Sequence, residues 1–109
     1  METKGRSAAI RFMISVGVLL LMLGLFLFFA GILQCLSSRR FLGYLFGIEM
    51  VMSAASINLA GFTALQPHRS ELQALMLMIT ALAAIEAAVG LSVFAFVSRR
   101  EKADGFSLL

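Results

Sequence analysis

Glu49 and Glu86 are the residues of this chain whose type and setting imply chemistry. Each stands alone inside a long uncharged stretch, while the other charges sit near a terminus or in a short loop. Placing one ionised side chain at the centre of a bilayer costs roughly 2.5 to 3.5 kcal/mol on the insertion scale, and acids kept there mark ion or proton pathways. A carboxyl group in a low-dielectric setting favours its neutral form. A neutral acid that can shed and regain its proton is what a relay needs. The bland alternative is a permanently protonated hydrogen-bond link between helices, or the counter-ion of a partner's lysine. Two such acids at matching depth favour the relay, and a coupled pair titrates jointly rather than singly.

The elements that must hold these acids follow from composition. The 109-residue chain is 61% hydrophobic and its mean hydropathy is +0.97, whereas soluble domains are nearer about 45 to 50% apolar. The pattern predicts an all-α integral membrane protein with three transmembrane helices, over about residues 12–36, 41–65 and 72–98. Each stretch is long enough to cross about 30 Å of hydrocarbon at about 1.5 Å per residue. The uncharged run Phe12–Ser38 is 27 residues long, beyond the usual apolar region of a signal peptide, about 7 to 15 residues; it is expected to be a retained span. Gln34 stands where a lipoprotein cleavage site before Cys35 would need a small residue. No segment outside the spans is long enough to form a catalytic domain or to hold a nucleotide.

Arg39 and Arg40 separate the first two spans, and a turn from Gln66 to Glu71, with Pro67 as the helix stop, separates the second from the third. Basic residues number five on the side of Arg39, Arg40 and the C-terminus and four on the other side, a lean toward a cytoplasmic C-terminus. The formal charge of +3 therefore speaks for orientation in the lipid bilayer, not for nucleic acid. Glu49 is 9 residues from Arg40, and Glu86 is 13 residues from Arg99. At about 1.5 Å per residue these are depths on the order of 14 and 20 Å, so both acids fall near mid-membrane, where a proton could pass between them.

At 100° per residue, Ser53, Ser56 and Ala60 lie within about 40° of Glu49, a small polar stripe. Gly43, Gly47, Ala54 and Asn58 fall roughly opposite, and Phe41, Ile48, Met52, Leu59 and Phe62 form a third, bulky sector expected to face lipid. Small residues on two faces imply a helix packed between neighbours. Gly17, Gly24 and Gly31 recur at intervals of seven on the first span and read as a close-packing seam. Small residues from Thr80 to Gly90 surround Glu86. Asn58 is expected to bridge helices by hydrogen bonding, Arg39 and Arg40 to anchor at the interface, and His68 to be a solvated loop residue. The lone Cys35 excludes an intrachain disulfide and reads as packing. The segment Phe106 to Leu109 could dock on a partner. No nucleophile-base pair, phosphate loop or metal-ligand spacing is present, so no catalytic or metal-binding residue is assigned.

The segments Gly47-Ile48-Glu49-Met50-Val51-Met52 and Ala83-Ala84-Ile85-Glu86-Ala87-Ala88-Val89-Gly90-Leu91 together resemble the two glutamate motifs of the K subunit of proton-translocating NADH-quinone oxidoreductase, the respiratory complex I family. The resemblance covers about Phe12 to Arg100. It implies a three-helix membrane-arm subunit placed between the quinone-proximal subunits and the first antiporter-like subunit. Glu49 and Glu86 would be links in the buried charged chain that couples quinone reduction to pumping. Arg39 fits the second member of the family's basic pair, while Arg40 stands where asparagine is common. Ser53 and Ser56 replace asparagines often found four and seven residues after the first glutamate. Quinone and the electron-transfer centres would belong to partner subunits, with no cofactor in this chain, and the setting would be a bacterial inner membrane or an equivalent energy-transducing membrane. The alternatives are a subunit of a multi-chain cation/proton antiporter, a small proton-coupled exporter, which usually has four spans and a glutamate in the first, and a purely structural assembly subunit.

Overall fold

The computed structural model describes residues 2–66 and 68–105. Three helices account for nearly all of them: α1 over Glu2–Ser37, α2 over Phe41–Leu65 and α3 over Ser70–Asp104. All three are long and apolar enough to cross a membrane. Pro67 and Phe106 to Leu109, expected to stop a helix and to dock on a partner respectively, lie outside the described residues. The helices stand in a row with α2 in the middle. Among the described residues α1 and α3 do not pack on one another.

Two helices outrun their apolar stretches. α1 has 36 residues and is about 54 Å long, well beyond about 30 Å of hydrocarbon. Its first turns hold Lys4, Arg6, Ala8, Ala9 and Arg11, good helix formers that continue the backbone ladder past the membrane edge. α3 continues through Arg99, Arg100 and Lys102. It ends at Gly105, whose φ of 72° is left-handed and whose N–H donates to the Glu101 carbonyl at 2.8 Å, the αL form of helix termination. Glu71 in its first turn and Lys102 in its last match the helix dipole. Within the spans, hydroxyls close on the preceding turn: Thr63 donates to the Leu59 carbonyl, Thr80 to Met76 and Ser92 to Ala88, each at 2.8 Å. Polar side chains thereby avoid unmet hydrogen bonds in lipid.

Apolar burial does not hold these helices together. Ala54, at 0% exposure, is the one buried hydrophobic side chain among the described residues, whereas Leu36 is 78% and Phe26 72% exposed. Lipid tails solvate such side chains as well as a protein core does, so helix association rests on close van der Waals contact. That contact is concentrated between α1 and α2. Gly17, Gly24 and Gly31 are buried, as are Gly47, Ala54 and Gly61. The two sets meet in antiparallel order: Gly31 against Gly47, Gly24 against Ala54, Gly17 against Gly61. A Cβ on Gly31 would lie 3.0 Å from both the Gly47 carbonyl and the Val51 nitrogen, and one on Gly61 would lie 3.0 Å from the Gly17 carbonyl. Backbone atoms cannot step aside, so the seam is closed to any larger residue. The glycine repeat of the first span is thus a seam inside the chain.

Cys35, half-buried, fills the space over Gly47, with its sulfur 3.9 Å from the Tyr44 carbonyl. Opening the seam should therefore expose this thiol. Gly31→Ala is predicted to shift the opening equilibrium by about 1 kcal/mol or more and to speed maleimide labelling of Cys35 about fivefold in mild detergent. Gly5→Ala, where a Cβ meets nothing within 4 Å, should leave the labelling rate unchanged.

Candidate functional site

The α1–α2 seam fixes the rotation of α2 and with it the aim of Glu49. Two residues after Gly47, Glu49 lies about 160° around the helix from it. It faces away from α1. The side chain is half-buried, and its Oε1 is buried without a hydrogen-bond partner. Ser53 is exposed, and the Ser56 hydroxyl donates to the Met52 carbonyl at 3.2 Å. The polar stripe beside Glu49 is present, yet among the described residues neither hydroxyl is bonded to the acid.

The α2–α3 contact sets the level of Glu86. The Phe41 and Phe94 rings stack with centroids 6.4 Å apart and planes 16° from parallel, and Gly90 receives the side chain of Leu45. These pairs define an antiparallel register. One turn on from Leu45 is Glu49, and one turn back from Gly90 is Glu86. The two acids therefore sit at the same level of neighbouring helices, as the depth count expected.

Glu86 is exposed and lines a cleft of about 410 Å³ between α2 and α3. Phe41, Tyr44, Leu45, Ile48, Val89 and Gly90 contribute to its walls. The only polar side chains among its lining residues are the Glu86 carboxyl and the Tyr44 phenol. Apart from them the lining is apolar. Phe41 and Ile48, expected to face lipid, line this cleft, because α3 packs on the bulky sector of α2; Phe41 is half-buried, while Ile48 remains exposed as expected. Tyr44 was not singled out as a polar neighbour of the acids. The available signal was its being the chain's single tyrosine, one turn and a half before Glu49. Small residues do approach α2 at Gly90, while Ala81, Ala84 and Ala88 face outward.

The remaining candidates are spread along the chain. Asn58 reaches α1 and occupies the space over Gly24, but its Oδ1 is buried with no hydrogen-bond partner. The expected hydrogen-bonded bridge from this oxygen is absent because the opposing surface is glycine, which offers contact and no side-chain donor. Arg39 and Arg40 are exposed at the α1–α2 turn, beside a concavity of about 490 Å³ that Gln34, Ser37 and Ser38 also line. His68 is exposed in the second turn.

Residues 19–109 match the sequence profile of the family described as NADH-ubiquinone/plastoquinone oxidoreductase chain 4L. The chain belongs to this family. It is similar to the chloroplastic NAD(P)H-quinone oxidoreductase subunit 4L of Staurastrum punctulatum, with 34% identity over 93 residues, 82% of this chain and 93% of that one. It is also similar to subunit 4L of Synechocystis, 37% identical over 86 residues, 77% of this chain and 84% of the relative. NADH-quinone oxidoreductase subunit K 1 of Syntrophobacter fumaroxidans is 36% identical over 75 residues, 68% of this chain and 74% of its own length. Subunits 4L and K are thus one family. The chain is a multi-pass membrane subunit of the complex I type, and the antiporter and exporter readings are not favoured. The family match begins after the first turns of α1, so the basic N-terminal extension lies outside it.

The register that levels the two acids is directly testable. In a Cys35→Ser background, Leu45→Cys combined with Gly90→Cys should form a disulfide on mild oxidation, because the side chains meet within the reach of an S–S bridge. Ser53→Cys with Gly90→Cys, about 12 Å out of register, should not. Peptide mass spectrometry after digestion distinguishes the two.

Proposed function

We propose that this subunit carries protons laterally through the membrane arm of a quinone-reducing complex, with Glu49 and Glu86 as successive relay groups. The observation that carries the reading is their common level: two lone intramembrane acids on adjacent helices, one half-buried and one opening outward from a cleft. Intramembrane acids that are not neutralised by a basic partner are characteristic of proton relays. Family membership supplies the assembly. Electron-transfer centres and the quinone site belong to other subunits, and this chain contributes no redox group of its own.

In this reading a proton arrives at one carboxyl, leaves it for the second and passes on to a neighbouring subunit. Glu86, exposed in the cleft between α2 and α3, is the exit toward an antiporter-like partner, and Glu49 is the inner link. Ser53 and Ser56 lie on the Glu49 side of α2 and Asn58 packs against α1 on the opposite side; all three support α2 without handling protons. The slight excess of basic residues on the side of Arg39, Arg40 and the C-terminus supports assigning that side to the cytoplasm.

In the assembled complex, Glu49→Gln should lower proton translocation and the coupled quinone reduction by about a hundredfold or more, the scale of a lost proton-transfer group, while the subunit is retained. Glu86→Gln should act in the same direction and more mildly, because acids of a neighbouring subunit can share an exposed position. Proton pumping and quinone reduction measured together in reconstituted vesicles test this. Normal translocation by an assembled Glu49→Gln complex contradicts the reading.

A further inference from the structure

We propose that Gly90 is a positioning residue for the proton relay: by receiving Leu45 it sets how closely the two acid-bearing helices approach. This rests on the relay reading of Glu49 and Glu86. Gly90 lies one turn from Glu86 and Leu45 one turn from Glu49. Their contact is therefore one helical turn from the level of the acids. A Cβ on Gly90 would overlap the Leu45 Cδ1 and lie 3.3 Å from its Cδ2 and 3.4 Å from its Cγ.

The consequences of filling that space differ from those on the α1–α2 seam. There an added Cβ meets backbone as well as side chains; here the nearest atoms are all the movable end of one leucine. Leu45 and Gly90 both line the cleft that Glu86 lines. A displaced Leu45 has two outlets: into the cleft beside Glu86, or outward with α3 moving away from α2. Either outcome changes the path between the acids while leaving both carboxyls in place. Proton transfer between fixed groups is steeply sensitive to such displacement. The Phe41–Phe94 stack lies a further turn toward the membrane edge.

The test uses the complete complex in vesicles. Gly90→Val should slow coupled proton translocation about tenfold or more in complexes that retain the subunit, and should raise the solvent deuterium isotope effect on quinone reduction. Adding Leu45→Ala, which removes the obstructing atoms, should restore both. A generally weakened assembly would show neither the isotope effect nor the rescue. Should Gly90→Val fail to assemble, Gly90→Ala carries the test: slowed translocation restored by Leu45→Ala supports the inference, and unslowed translocation overturns it. If Gly90→Val pumps normally while Glu49→Gln does not, the positioning role is wrong and the relay stands. If Glu49→Gln also pumps normally, the relay itself has failed and the positioning role falls with it.

Discussion

Close backbone contact between α1 and α2 is the constraint on which the remaining geometry depends. In lipid, two apolar helices gain little from hiding apolar surface, so they associate where small residues let backbones touch. Gly17, Gly24 and Gly31 provide that surface on α1, and Gly47, Ala54 and Gly61 provide it on α2. Both sets recur every seven residues, which returns to nearly the same face of a helix after two turns. Only one rotation of α2 satisfies all three contacts. That rotation turns Glu49 away from α1 and gives α3 the sector containing Phe41, Leu45 and Ile48.

The second interface is lighter. α3 meets α2 through an aromatic stack and through Leu45 in the space over Gly90. Among the described residues no ladder of backbone contacts comparable with the α1–α2 seam joins them. Much of α3 remains exposed, including Ala84, Glu86 and Ala88. One acid thus sits on a helix of the closely packed pair, and the other on the helix with the lighter contact. The large exposed apolar side chains on all three helices are compatible with lipid and with partner helices alike.

Much of this was legible in the chain itself. Charge placement and uncharged run lengths indicated three helices, because crossing a bilayer demands length and apolarity that few other structures need. Glu49 and Glu86 stood out for the same reason. The heptad of glycines on α1 was readable as a seam, and Gly47 and Ala54 as part of a small face of α2, but the pairing of the two was not, since joining two helices requires their register. The uncharged stretches give the spans and not the helix ends: apolarity stops at Phe12 and Ser98, while the backbone ladder continues through lysine, arginine and alanine. The cleft, the placement of Phe41 within it and the orphaned Oδ1 of Asn58 all depend on which side chain faces which across an interface. A single sequence carries no direct signal for those contacts.

A relay through Glu49 requires its carboxyl to change protonation during turnover. Infrared difference spectroscopy of the purified complex, triggered by quinone reduction, tests it most directly. A carboxyl C=O band should appear or vanish with turnover, shift in heavy water, and be missing from the spectrum of the assembled Glu49→Gln complex. An identical set of carboxyl bands in the native and Glu49→Gln complexes would mean that this acid keeps one protonation state throughout, and the relay would have to run elsewhere.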